Sequence, residues 1–114
     1  MQTVTSDAVA EALDEKQNKE WKILDGYDIS GITYDEIAIS VWFDNSSEQI
    51  LYSKVFAKGM FGGKQNVFIG GYMYNYQDYG LCNVNFINNV FSLRNVIYGG
   101  VNYTSQAGLR IRYR

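Results

Sequence analysis

Histidine and proline are absent from the 114 residues, and cysteine occurs once, as Cys82. Without an imidazole, Ser–His and Cys–His nucleophile pairs are excluded, together with the side chain that most often serves as a general base near neutral pH. A single thiol excludes an intrachain disulfide, and neither cysteine-based nor imidazole-based metal sites can be assembled. Cys82 alternates with asparagines in Leu81-Cys82-Asn83-Val84-Asn85-Phe86 and reads as a small buried hydrophobe. No apolar run approaches the roughly 20 residues of a membrane-spanning helix. The N-terminus lacks the basic flank and apolar stretch of a secretory signal.

What is present points one way. Ten tyrosines, six phenylalanines and two tryptophans fit pleated, half-buried surfaces, while eleven glycines and ten asparagines supply turns with positive φ. The composition is that of an all-β chain of many short strands, long enough to bury a core. Net charge is −2, but it is split along the sequence. Residues 1–36 carry nine acids against Lys16, Lys19 and Lys22, a net −6; residues 37–114 carry seven bases against Asp44, Glu48 and Asp78, a net +4. The bases are too dispersed for a nucleic-acid face, apart from Arg110-Ile111-Arg112-Tyr113-Arg114. Attraction between the acidic and basic ends, within or between subunits, is the reading favoured by this split.

Along the chain, a short helix is predicted from about Asp7 to Lys16. Thr5 or Ser6 caps it, Asp7 lies in its first turn, and Val9, Ala12, Leu13 and Lys16 share a face. Such a helix is marginal alone, so residues 1–20 read as a stalk that needs partners and residues 21–114 as a β head. From Trp21 the apolar period becomes two. Strands are predicted at Trp21–Leu24, Asp35–Phe43, Gln49–Ala57, Val67–Tyr74, Leu81–Ile87, Val90–Leu93, Val96–Tyr98 and Leu109–Tyr113. Breaks fall at Asp25-Gly26, 44–47, Gly59, Gly62-Gly63, Asn88-Asn89 and Gly99-Gly100, with Asn88-Asn89 a two-residue hairpin signal. Eight short strands at this spacing predict an antiparallel β-sandwich or jelly roll preceded by a short N-terminal helix. In the last strand Leu109, Ile111 and Tyr113 face inward and three arginines outward, a pattern that protects a sheet edge.

Catalytic arrangements are missing from this pattern. Asp35 and Glu36 are adjacent, and adjacent strand residues point to opposite faces, so the two carboxylates do not converge. Gly59-Met60-Phe61-Gly62-Gly63-Lys64 lacks both the strand–loop–helix context and the Ser or Thr of a phosphate loop. Binding has better material. Tyr72 to Gly80 packs four tyrosines, two amides and a carboxylate into nine residues at a predicted hairpin tip. Tyrosine offers rigid amphipathic area, and Asn, Gln and Asp offer directional hydrogen bonds, the two things a sugar surface requires. The candidate receptor-binding residues are Asn75, Gln77 and Asp78 as polar readers and Tyr76 and Tyr79 as stacking rings, with residues 44–48 as the next choice. The competing expectation is that Tyr72 and Tyr74 pack between sheets or subunits.

Val4-Thr5-Ser6-Asp7-Ala8-Val9-Ala10-Glu11-Ala12-Leu13 resembles a segment that recurs in phage and prophage tail-fibre and baseplate-appendage proteins. There a Pro-Val-Thr-Ser-Asn-Ala-Val-Ala pattern links a shaft to a C-terminal β domain; here Thr3 replaces the proline and Asp7 the asparagine. Trp21-Lys22, the Tyr34 to Ile37 strand entry, Gly71-Tyr72, the asparagine hairpin and the Leu109 to Arg114 ending are also similar to those C-terminal domains. The resemblance implies a homotrimeric fibre tip of the virion, with Val9, Ala12 and Leu13 at the trimer interface. Its implied partners are a host cell-surface glycan or protein and upstream fibre or baseplate components. No enzyme activity, cofactor, metal, nucleic-acid partner or membrane insertion is expected. The alternative is a structural module that trimerises and caps a fibre without touching a receptor.

Overall fold

The structure, a computed structural model, describes residues 20–43, 49–61 and 65–114. The predicted helix, with Val9, Ala12 and Leu13, lies outside the described residues, as do 44–48 and 62–64. The described chain is all-β, built from two antiparallel four-stranded sheets. One sheet contains β1 (Lys22–Ile23), β8 (Gly108–Tyr113), β2 (Glu36–Trp42) and β3 (Ile50–Ala57), in that order. The other contains β4 (Asn66–Met73), β5 (Tyr79–Ile87), β6 (Val90–Tyr98) and β7 (Val101–Asn102) in sequential order. The chain therefore crosses from the first sheet to the second after β3 and returns after β7.

Alternation in the sequence sets which face is buried. Ile37, Ile39 and Val41 of β2 and Ile111 of β8 meet Val67 and Ile69 of β4, Cys82 and Val84 of β5, and Phe91 and Val96 of β6 in one hydrophobic cluster. Each such side chain contributes about 1.5–3 kcal/mol on burial. Cys82 is fully buried, as its place in the alternation predicts, and burial pushes its thiol up to about 12. Phe61, from the β3–β4 connection, was not legible as a core residue. It is buried, with ring centroids 5.0, 5.2 and 5.3 Å from those of Phe56, Phe86 and Phe91.

The turns follow their chemistry. Asn88 and Asn89 have φ of 53° and 65°, and Gly99 and Gly100 have 59° and 75°. Two successive positive φ values are what a type I′ hairpin needs, and asparagine and glycine supply them at least cost.

Two expectations are corrected. The predicted strands Val90–Leu93 and Val96–Tyr98 are one strand, because the register slips from Asn83↔Asn95 to Val84↔Leu93 and leaves Arg94 as an extra residue. A bulge breaks the alternation without ending the pairing. The arginine-bearing last strand is also not an edge: β8 pairs with β1 on one side and β2 on the other. Arg114, which follows β8, meets the acidic half of the sequence at Glu36, with Nε 2.9 Å from Oε1. The pair is half-exposed, so it is worth about 0–1 kcal/mol.

Candidate functional site

The β4–β5 hairpin carries the tyrosine-rich segment, and its tip is built from inside the loop. The Asn75 side-chain oxygen accepts the backbone N–H groups of Gln77 and Asp78, both at 2.8 Å. The backbone closes the loop again with Tyr74 N–H and Asn75 N–H donating to the Asp78 carbonyl at 3.0 and 3.1 Å. Asparagine is suited to this because its short amide mimics a backbone turn. Asn75 is thus the loop's brace rather than a group whose oxygen is open to a ligand.

A second brace comes from β4. The Tyr72 hydroxyl donates to Asp78 Oδ1 at 3.0 Å and accepts the Gly99 N–H at 2.8 Å. Loss of solvent, the largest cause, and the Asp78 carboxylate push the Tyr72 hydroxyl above its ordinary pKa. Gly100 N–H donates to the Tyr79 carbonyl at 2.9 Å. The β6–β7 turn is so close beneath the loop that a Cβ on Gly100 would stand 2.1 Å from the Gln77 carbonyl oxygen.

Behind Tyr72 lies a tyrosine cluster. The Tyr98 ring is 5.7 Å from Tyr72 and 6.3 Å from Tyr52, both edge-on. The Tyr52 hydroxyl donates to the Ile97 carbonyl, and burial, then Tyr72, pushes it up to about 12. It crosses Gly80 so closely that a Cβ there would clash with both Tyr52 and Tyr72. A glycine inside a strand often marks such an approach, which was the one sequence signal for this support.

The outcome for the predicted residues is mixed. Tyr76 and Gln77 are exposed, and Asp78 is exposed with one oxygen committed to Tyr72. Tyr79 is half-buried in β5 opposite Met73, not at the tip. In the single chain Tyr74 is 82% exposed and so does not pack between the sheets; Tyr76 is 85% and Met73 78% exposed. These three are the most exposed large apolar side chains among the described residues, Met73 at the end of β4 and Tyr74 and Tyr76 on the loop that follows. Tyr72, Gly80 and Gly100 were missed as supports, because their roles come from contacts between distant segments. No cluster of His, Cys, Asp or Glu that could hold a metal occurs among the described residues.

Comparison with protein-family models, with curated proteins and with solved structures returns no match.

Proposed function

We propose that this chain is the receptor-binding β domain of a phage-type tail fibre or baseplate appendage, with its two sheets packed as a sandwich. The domain attaches a virion to a host cell-surface glycan through the hairpin tip at residues 73–78. One observation carries the reading: Tyr74 and Tyr76, beside Met73 at the end of β4, stand out of a loop held by the Asn75 amide, the Tyr72–Asp78 bond and the turn at Gly99-Gly100. Exposed rings on a mobile loop would lose entropy on binding, whereas rings on a braced loop lose less. Tyr74 and Tyr76 stack on sugar rings, Gln77 reads hydroxyls, and Asn75 and Asp78 hold the shape. The resemblance of the Val4 to Leu13 segment to tail-fibre linkers supports the fibre context, and Val9, Ala12 and Leu13 are the proposed trimer contacts. A trimer suits weak sites, since linked copies gain avidity from effective concentration.

The test is a glycan array probed with the chain, together with light scattering. Binding to a defined glycan by a trimer is the expected result. A trimer that binds no glycan and no host cells would instead leave the structural capping module as the function.

A further inference from the structure

We infer that the outer face of the first sheet holds a second ligand site, for a carboxylate-bearing sugar of an acidic glycan, centred on Arg110 and Arg112. It lies on the other sheet from the tyrosine loop and shares no residue with that loop.

Because Ile111 is buried, the alternation turns Arg110 and Arg112 of β8 to the outer face, with Ala38, Trp42 and the covered Ser40 (3% exposed) of β2 opposite Ile37, Ile39 and Val41. Two residues along a strand place these guanidinium stems about 6.8 Å apart. The register sets small neighbours beside them, with Arg112 opposite Ala38 and Arg110 opposite Ser40. Next come Val55 and Ser53 of β3. The row has a tryptophan at each end, and these are the chain's only two. Arg110 lies 5.0 Å over the Trp42 ring and Arg114 4.3 Å over the Trp21 ring.

A guanidinium lying on an indole has fewer rotamers to lose, and its planar N–H fork matches a carboxylate in a bidentate pair. Arg114 is already taken by Glu36. Arg110 and Arg112 make no ion pair among the described residues. No carboxylate of the described residues is paired to either group, although the exposed Asp25 lies between Leu24 and Gly26 at the edge of the row.

Beside this row is a cleft of about 300 Å³, lined by Ile23, Leu24, Tyr27, Leu109 and Arg110 among others. It exists because β1 is only two residues long and its pairing with β8 stops near Leu24, which donates its N–H to the Ile111 carbonyl at 2.9 Å. Among the described residues, no strand then lies beside the flank of β8 at Leu109 on that side. Tyr27 and Ile23, both exposed, offer apolar surface for the C–H face of a sugar ring, and Arg110 stands at the cleft to take its carboxylate. The volume fits a ring or two, and two arginines are too few for a nucleic-acid track.

The probe is a fluorescein-labelled oligogalacturonate, titrated against the chain by fluorescence anisotropy. Its methyl-esterified form serves as the uncharged control. The expected result is binding that weakens as salt is raised and is lost in the ester. Arg112→Gln lowers affinity about tenfold with an unchanged melting temperature, since a charged hydrogen bond of ordinary strength is removed. Arg112→Lys keeps the charge but not the fork and falls between the two. Arg110→Gln does the same as Arg112→Gln if it folds; if it does not, Arg112, which makes no ion pair or ring contact among the described residues, carries the test alone. Tyr74→Ala/Tyr76→Ala leaves this binding unchanged, which separates the site from the hairpin tip. The inference is overturned if ester and acid bind alike, if Arg112→Gln binds as well as the parent, or if no binding is seen at low salt. Displacement by inorganic phosphate, or by a polyglutamate peptide, as effectively as by free galacturonate also overturns the assignment to an acidic sugar.

Discussion

Gly99 and Gly100 are adjacent in one turn, both at positive φ, and they should respond differently to alanine. At Gly99, with φ of 59°, a Cβ would meet nothing within 4 Å. The cost of Gly99→Ala is then the left-handed backbone alone, about 1–2 kcal/mol. At Gly100, with φ of 75°, the Cβ would stand 2.1 Å from the Gln77 carbonyl oxygen and 3.1 Å from its carbonyl carbon. Ordinary contact requires more than 3.4 Å, so the loop must retreat by more than an ångström or the turn must open. Overpacking of this kind adds about 1–3 kcal/mol. It also pulls on the Gly100–Tyr79 hydrogen bond. Urea unfolding of the two variants measures the difference, and amide NMR shifts of residues 74–78 report whether the loop has moved. The expectation is that Gly100→Ala is the less stable by about 1–3 kcal/mol and shifts those amides, whereas Gly99→Ala leaves them in place. Equal stabilities with unmoved loop amides in both would refute the seating of the tip on this turn.

Other outcomes follow from the same contacts. Phe61→Ala removes the ring shared by Phe56, Phe86 and Phe91 and should cost about 3–5 kcal/mol in a denaturant melt; a loss under 1 kcal/mol would place Phe61 outside the core. Cys82 should resist alkylation in the native state at pH 8, because it is fully buried and its thiol is pushed up to about 12; labelling at the rate of a free thiol would mean the phase of β5 is misplaced. Asp28 is held below its ordinary 3.8 by hydrogen bonds from the side chain and backbone of Ser30. Its contribution to stability is therefore complete above the unfolded value and is lost as pH falls through the lowered one. Asp28→Asn should flatten that acid limb of a stability–pH curve, and an unchanged limb would remove the carboxylate from the account.

Local chemistry was the part of this protein that could be read from residues. The alternation Ile37, Ile39, Val41 gave a buried face, and Asn88-Asn89 gave a hairpin with both φ positive. Where pairing is not local, the reading failed for definite reasons. A bulge at Arg94 looks like a strand end because it shifts the period by one. The outward arginines of β8 look like an edge, although their strand is inserted between β1 and β2, which are nearer each other in sequence. At the tip, composition located the tyrosine-rich loop but not which rings stand free. Tyr79 is drawn into β5 by pairing with Met73, and Tyr74 is turned out by the Asx closure at Asn75. Residues as far apart as Tyr72 and Gly99 support each other, and no window of the sequence shows that pair.

The central claim is that the exposed rings of the braced loop make the contact with the host. Its most direct test is attachment of the Tyr74→Ala/Tyr76→Ala variant to host cells, scored beside its melting temperature and oligomeric state. Both rings are more than 80% exposed, and surface substitutions of this kind change stability within about 0.5 kcal/mol. The account predicts that attachment is lost while melting temperature and assembly stay as in the parent. Undiminished attachment by the well-folded double variant would contradict it and move recognition to another surface.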